Sequence, residues 1–274
     1  KHSAGNRLIL LYLLDQYRLP KDFESLLWLS QVQQAEGMKI GVEHFRSQMP
    51  RTMGSLYWQI NDCWPVASWA GTDYYGTWKA LHYYARRFYS PVLVAPVEDG
   101  KNLKVYGISE LNRPVDGDFY CGVFTYDGDV VQDSEISVRL EPRSSRILLE
   151  KSLDELRKDR APEEVYLYCE LKKAGETLSS NVFHFTPLKR VSLPEPEIRP
   201  EVFERDGRMI VRLGAARLAK TVYLSAPGFK GRFSDNFFDV VPGRQYEVSF
   251  ISSTPVDTAS FKKALKIVSL RETY

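Results

Sequence analysis

The sequence predicts a multidomain chain: the closing part of a larger α/β unit, then two all-β sandwiches. Three observations predict it. All 5 Trp fall between Trp28 and Trp78, so the composition changes near Ser90. Before that point the periodicity is helical around one short apolar segment, and after it short β-type segments alternate with turn signals. A Pro-rich stretch, Leu193-Pro194-Glu195-Pro196-Glu197, then divides the β region in two.

Taken in order, Asn6 to Leu19 places Leu10, Leu13, Leu14 and Tyr17 on one helical face, and Pro20 should stop it. Asp22 can cap a second helix carrying Leu26, Leu29 and Val32, with Pro50 as its latest end. Met53 to Ile60 is short, apolar and aromatic, which suits a buried strand. Thr77 to Phe88 reads as a third helix with Trp78, Leu81 and Ala85 facing inward. One strand among helices cannot close a core. Residues 1–90 are therefore expected to complete a larger α/β domain whose earlier strands precede Lys1.

Beyond Ser90, strands are expected at Leu103 to Ile108, Phe119 to Thr125, Ile136 to Leu140, Ile147 to Leu149 and Val165 to Leu171. Glu98-Asp99-Gly100 and Tyr126-Asp127-Gly128 punctuate them, and Leu153 to Arg157 suits a helical turn. After the linker, Met209 to Leu213, Val222 to Ser225, Phe237 to Val241, Tyr246 to Ile251 and Leu265 to Leu270 repeat the pattern. This spacing gives two sandwiches of immunoglobulin size, residues 91–190 and 195–274.

Composition narrows the function. With 274 residues, 37 basic against 35 acidic, the net charge of +2 offers no electrostatic reason to expect nucleic acid or an anionic membrane. Arg86, Arg87 and Lys262-Lys263 read as solvated faces. The longest apolar run, Leu8 to Leu14, is far short of a membrane span. Lys1-His2-Ser3 does not open a signal peptide, and the chain begins without Met, as an excised piece would. His2, His44, His82 and His184 are scattered, so no metal site is expected. Cys63, Cys121 and Cys169 lack CxxC spacing; Cys121 and Cys169 could bridge one sandwich, but two buried thiols suit them better.

The informative stretch runs from Gly54 to Pro65 and on to Ser68-Trp69. It joins Trp58, Asn61, Asp62 and Trp64 where a strand enters a loop. Sugars present apolar C–H faces and a rim of hydroxyls, which an aromatic plane flanked by amides and carboxylates matches. Composition alone favours a plainer alternative, a Trp-rich core with Asn61 and Asp62 capping a turn.

Met53-Gly-Ser-Leu-Tyr-Trp58-Gln-Ile-Asn61-Asp62 resembles the eighth barrel strand of family 2 β-mannosidases, and Trp64-Pro65 with Ser68-Trp69 continues the match. Trp78-Lys-Ala-Leu-His-Tyr83 is similar to the helix that follows. Gly231 to Phe238, with Asp235-Asn236-Phe237-Phe238, and Val241-Pro242-Gly243 resemble that family's last β-domain. The resemblance implies the end of a (β/α)₈ TIM barrel followed by two immunoglobulin-like sandwiches. It also implies a retaining exo-β-mannosidase that hydrolyses terminal non-reducing β-mannosyl residues without metal or cofactor.

Retention needs two carboxylates about 5 Å apart on different strand ends. In the family one glutamate follows an Asn and the other precedes an aromatic-Gly pair, and neither pattern occurs here. Glu24, Glu36 and Glu43 fall on predicted helices as solvated faces. Both catalytic residues are thus expected before Lys1, and the chain alone should be inactive. The resemblance makes Trp58 the apolar floor of the terminal-sugar subsite, with Asn61, Asp62 and Trp64 at the barrel mouth. It implies β-mannosides or manno-oligosaccharides as partners, contacts with N-terminal domains, and an extracytoplasmic site, periplasmic or lysosomal. The alternatives are another family 2 exo-glycosidase, such as an exo-glucosaminidase or β-glucuronidase relative, and a non-catalytic carbohydrate-binding or scaffolding module.

Overall fold

In the computed structural model, which describes residues 4–274, helices crowd the first ninety residues and strands fill the rest. His2, considered above with the other histidines, lies outside the described residues, as do Lys1 and Ser3. No described helix is long and apolar enough to cross a membrane.

The first helix, α1 (Gly5–Gln16), ends four residues before Pro20. Leu13 and Tyr17 are buried as its periodicity predicts, whereas Leu10 and Leu14 are exposed. The second, α2 (Phe23–Ser47), begins where Asp22 promised: its carboxylate accepts the Ser25 N–H at 2.7 Å, filling one orphan donor of the first turn. Leu29 and Val32 are buried along it. The third, α3 (Ala80–Phe88), starts three residues later than expected and buries Leu81 and Ala85.

The segment Met53 to Ile60 corrects the expected buried strand. Its backbone runs without sheet partners, and alternate side chains face outward. Leu56 is 100% exposed and Trp58 74% exposed. A strand exists only through the ladder it shares with a neighbour, and among the described residues no strand lies beside this one.

Two compact units divide the chain. The first comprises residues 1–17, 33–125 and 129–192. Its strands are β1 (Val92–Asp99), β2 (Asn102–Ser109), β3 (Val115–Thr125), β4 (Val130–Leu140), β5 (Ser144–Ser152), β6 (Val165–Lys173) and β7 (Glu176–His184). They form two antiparallel sheets, ordered β1-β2-β5 and β4-β3-β6-β7. Between them lies a core that includes Val94, Leu103, Val105, Phe119, Leu140 and Leu167. The turn expected at Leu153 to Arg157 is α4 (Leu153–Arg157), capped by Ser152, whose hydroxyl accepts the Glu155 N–H. Cys121 and Cys169 face each other across β3 and β6 as buried free thiols, and burial pushes the Cys121 thiol up to about 12.

The second unit comprises residues 18–32, 126–128 and 193–274. Its strands are β8 (Ile198–Arg205), β9 (Arg208–Ala215), β10 (Ala219–Ser225), β11 (Arg232–Phe233), β12 (Phe238–Val240), β13 (Tyr246–Ile251) and β14 (Lys266–Val268). The sheets are ordered β11-β13-β9-β8 and β12-β10-β14. Phe261, on the helix α5 (Thr258–Ala264), closes the core against Phe229, Phe233 and Phe250.

Four strands were not expected from the sequence: β1, β7, β8 and the two-residue β11. All four are edges of their sheets, and β1 and β8 carry prolines, Pro96 and Pro200. An edge strand needs ladder bonds on one side only, so it tolerates proline and polar residues that mask the alternating pattern. The β6–β7 and β8–β9 hairpins each turn through two residues at positive φ, Ala174-Gly175 and Asp206-Gly207. This is the mirror-image turn that follows strand twist.

The Asp235-Asn236-Phe237-Phe238 motif has a structural use. Asn236 is buried, and its amide both accepts from the Leu224 N–H and donates to the Leu224 carbonyl, each at 2.8 Å. One side chain thereby supplies β10 with the pair of bonds a neighbouring strand would make. Asp239 accepts from the Thr221 N–H where the β10–β12 register shifts. Phe237 packs its ring between Tyr223 and Trp28.

Glu43 also departs from expectation, because it is buried rather than solvated. Asn181 of β7 donates to its carboxylate at 2.9 Å, and Lys39 lies 3.2 Å away. Desolvation raises its carboxyl above the ordinary value, against the opposing effect of Lys39 and the Asn181 bond. The folded state therefore holds this proton more tightly than the unfolded chain. That contribution is present below the unfolded value and is lost as pH rises through the higher folded one. Glu43→Gln keeps an acceptor for Asn181 without a buried charge. It should be more stable than the wild type at pH 7 and show a flatter pH dependence above pH 4.5. Denaturant unfolding across that range checks it, and a destabilised variant at pH 7 would refute it.

Candidate functional site

The loop between Ile60 and α3 gathers the residues singled out in the sequence, all within the first unit. Two backbone hydrogen bonds tie it to the extended segment, and a third closes the loop on itself. Gly71 N–H donates to the Gln59 carbonyl at 2.9 Å, Thr72 N–H to Ile60 at 2.8 Å, and Asp62 N–H to Thr72 at 3.1 Å. The far end turns on Asp73, whose Oδ1 accepts the Tyr75 and Thr77 N–H groups at 2.9 and 2.8 Å. Such local side-chain bonding is why Asp favours turns. From α2, Gln34 donates to the Trp69 carbonyl at 3.0 Å. The Trp58–Gln59 peptide is cis.

Trp58 stands on the outward face of the extended segment between Leu56 and Ile60, an exposed apolar ridge. On the other face, Tyr57 stacks on Tyr89 with ring centroids 6.5 Å apart, and Ser55 lies within 3.0 Å of the Tyr89 hydroxyl. Those contacts hold the segment while leaving the indole uncovered. Trp64 and Trp69 are likewise exposed, at 55% and 59%. Asn61 is exposed, with its amide nitrogen donating to the Asp62 carbonyl.

Asp62 differs from its neighbours. It is 5% exposed, and both carboxylate oxygens are engaged: Lys79 Nζ donates to Oδ2 at 2.8 Å, and the Ser68 hydroxyl to Oδ1. Ser68 in turn accepts the Ala70 N–H at 3.0 Å. Desolvation pushes the Asp62 carboxyl up, but the Lys79 and Ser68 hydrogen bonds and the Lys79 charge prevail and hold it below the usual carboxylate value. Lys79, Ser68 and Gln34 thus belong to the site's framework. In the sequence Ser68 and Lys79 stand out only as members of motifs and Gln34 not at all, since only the folded loop reveals that they converge.

Trp58, Asn61 and Trp64 are each exposed along the segment and the loop it enters, whereas Asp62 is buried. The arrangement offers an aromatic platform and amide groups, the complement of a sugar's C–H face and hydroxyls.

Curated relatives match almost the whole chain. Over 98% of the chain, the β-mannosidase of Capra hircus is 30% identical, and that of Mus musculus is 30% identical over the whole chain. Among family 2 glycoside hydrolases, the chain is similar to enzymes of the β-mannosidase type. It matches the C-terminal portion of such enzymes and spans about a third of the length of these relatives, 33% in each case. Residues 101–190 match the family described as a Mannosidase Ig/CBM-like domain, and residues 193–273 one described as an Ig-fold domain. The β-D-mannosidase structure from Dictyoglomus thermophilum superposes with a TM-score of 0.90 at 26% identity. That match covers 97% of this chain and 32% of the other. The exo-chitosanase of Amycolatopsis orientalis shares the fold, with a TM-score of 0.73 at 15% identity over 97% of this chain and 36% of its own.

Proposed function

We propose that this chain is the C-terminal part of a retaining exo-β-mannosidase that removes terminal non-reducing β-mannosyl residues from β-mannosides or manno-oligosaccharides. In this reading residues 1–90 close a (β/α)₈ barrel, with Met53 to Ile60 as its eighth strand and α3 as the helix after it. Residues 91–190 and 195–274 are the immunoglobulin-like sandwiches that follow. Trp58 is the apolar floor of the terminal-sugar subsite, and Asn61 and Trp64 stand on its rim.

The observation that carries this reading is the exposed ridge of Leu56, Trp58 and Ile60 on an extended segment without sheet partners. Apolar surface of that kind, on a backbone still in need of a ladder, fits a strand awaiting its barrel neighbours. The exposed Leu8, Ile9, Leu10, Leu11, Tyr12 and Leu14 of α1 fit the same account, because a helix apolar on nearly every side is normally covered. The two carboxylates that retention requires belong to the preceding sequence, and the reaction calls for no metal or cofactor.

The test is turnover by the whole enzyme on a panel of aryl β-glycosides. The expected result is β-mannoside hydrolysis with retention at the anomeric centre. Preference for the β-glucosaminide or β-glucuronide would assign a different sugar within family 2. Absence of turnover on all of them would favour a carbohydrate-binding or scaffolding role.

A further inference from the structure

We propose that Asp62, Lys79 and Ser68 form a pin that sets the position of the aromatic loop at the sugar site, and that Lys79 is a positioning residue for the reaction. This inference rests on the β-mannosidase reading and gives Asp62 a supporting place behind the sugar rather than a contact with it.

The geometry points this way because a side chain cannot serve two masters. Both Asp62 oxygens accept hydrogen bonds within the protein, and the group is almost wholly out of solvent. Its remaining lone pairs are shut away from solvent, so it offers little to sugar hydroxyls. What it joins is more telling. Asp62 opens the loop, Ser68 lies in its middle and Lys79 sits immediately before α3, so one carboxylate ties three points that span its whole length. Ser68 passes the tie on to the Ala70 backbone, next to Trp69.

The loop needs such a pin. Trp64 and Trp69 are more than half exposed, so packing within the chain does not orient them. Their placement depends on the backbone that carries them, and that backbone is held by few direct bonds between residues 63 and 69. An aromatic surface set by a loop contributes to binding in proportion to how well it is preorganised. Lys79 is mostly buried beside Asp62, so removing its charge leaves an uncompensated carboxylate that must either rehydrate or move. Either response displaces the loop.

The experiment compares Lys79→Met, Lys79→Arg and Ser68→Ala with the wild type in the whole enzyme. One arm measures kcat and KM on an aryl β-mannoside. The other follows chymotryptic cleavage after Trp69 by mass spectrometry. Lys79→Met should raise KM about tenfold while changing kcat less than threefold, and should speed cleavage after Trp69; each tenfold step corresponds to about 1.4 kcal/mol. Lys79→Arg should recover most of the KM, and Ser68→Ala should shift both readings in the same direction by less. Should Lys79→Met fail to fold, Ser68→Ala decides alone. Unchanged KM overturns the positioning role even if cleavage accelerates, and unchanged cleavage overturns the pin. A wild-type enzyme that turns over no aryl glycoside would defeat the functional reading, while the cleavage arm would still keep or overturn the pin.

Discussion

Assayed by itself, the 274-residue chain should leave an aryl β-mannoside intact. A retaining glycosidase needs an acid/base and a nucleophile about 5 Å apart and facing the same sugar. Several carboxylates of the loop and of α2 are already engaged within the fold. Asp62 is committed to Lys79 and Ser68, Glu36 accepts from the Tyr84 hydroxyl, and Glu43 is buried against Asn181. Without the pair, no glycosyl-enzyme intermediate can form or be hydrolysed, so the loss is complete rather than partial. The measurement is release of the aryl group against a buffer blank. Turnover above the blank that disappears with Glu36→Gln or Glu43→Gln would place the catalytic carboxylates inside this chain and overturn the expectation.

Trp58→Ala in the whole enzyme should lower kcat/KM by roughly a hundredfold, about 3 kcal/mol of transition-state stabilisation. The indole offers a flat apolar surface to the terminal sugar, and it excludes water where oxocarbenium charge develops. The same substitution in the present chain should barely alter its stability. A buried Trp loses about 3–5 kcal/mol on truncation, but this ring is 74% exposed and supports no core here. Kinetics on the whole enzyme and thermal melts of the chain separate the two roles. A normal kcat/KM would remove Trp58 from the sugar site, and a large drop in melting temperature of the chain would make it a core residue.

Much of the β architecture could be read directly. Strands β2, β3, β6, β9 and β13 lie where apolar alternation put them, because central strands are packed on their inner face and their sequence must show it. The α4 turn and the Asp22 cap were legible for a similar reason, since both rest on bonds between residues three apart. Edge strands β1, β7, β8 and β11 escaped notice because half their ladder faces away from the sheet and imposes no pattern. Two helix ends, Gln16 and Ala80, were misplaced by three residues, and Lys79 before α3 makes no side-chain cap bond of the kind a sequence signal would need.

At the candidate site the division is sharper. The motif from Met53 to Trp69 was visible as a run of aromatic and polar residues, and its resemblance to β-mannosidases was carried by residue identity alone. Identity and local bonding are properties of consecutive residues, so the chain's own order was sufficient for them. Which face Trp58 presents, the burial of Asp62 and Glu43, and the convergence of Lys79 on Asp62 across 17 positions had to await the fold. Burial and long-range ion pairing depend on what surrounds a group in space, and that is settled only when distant segments pack together.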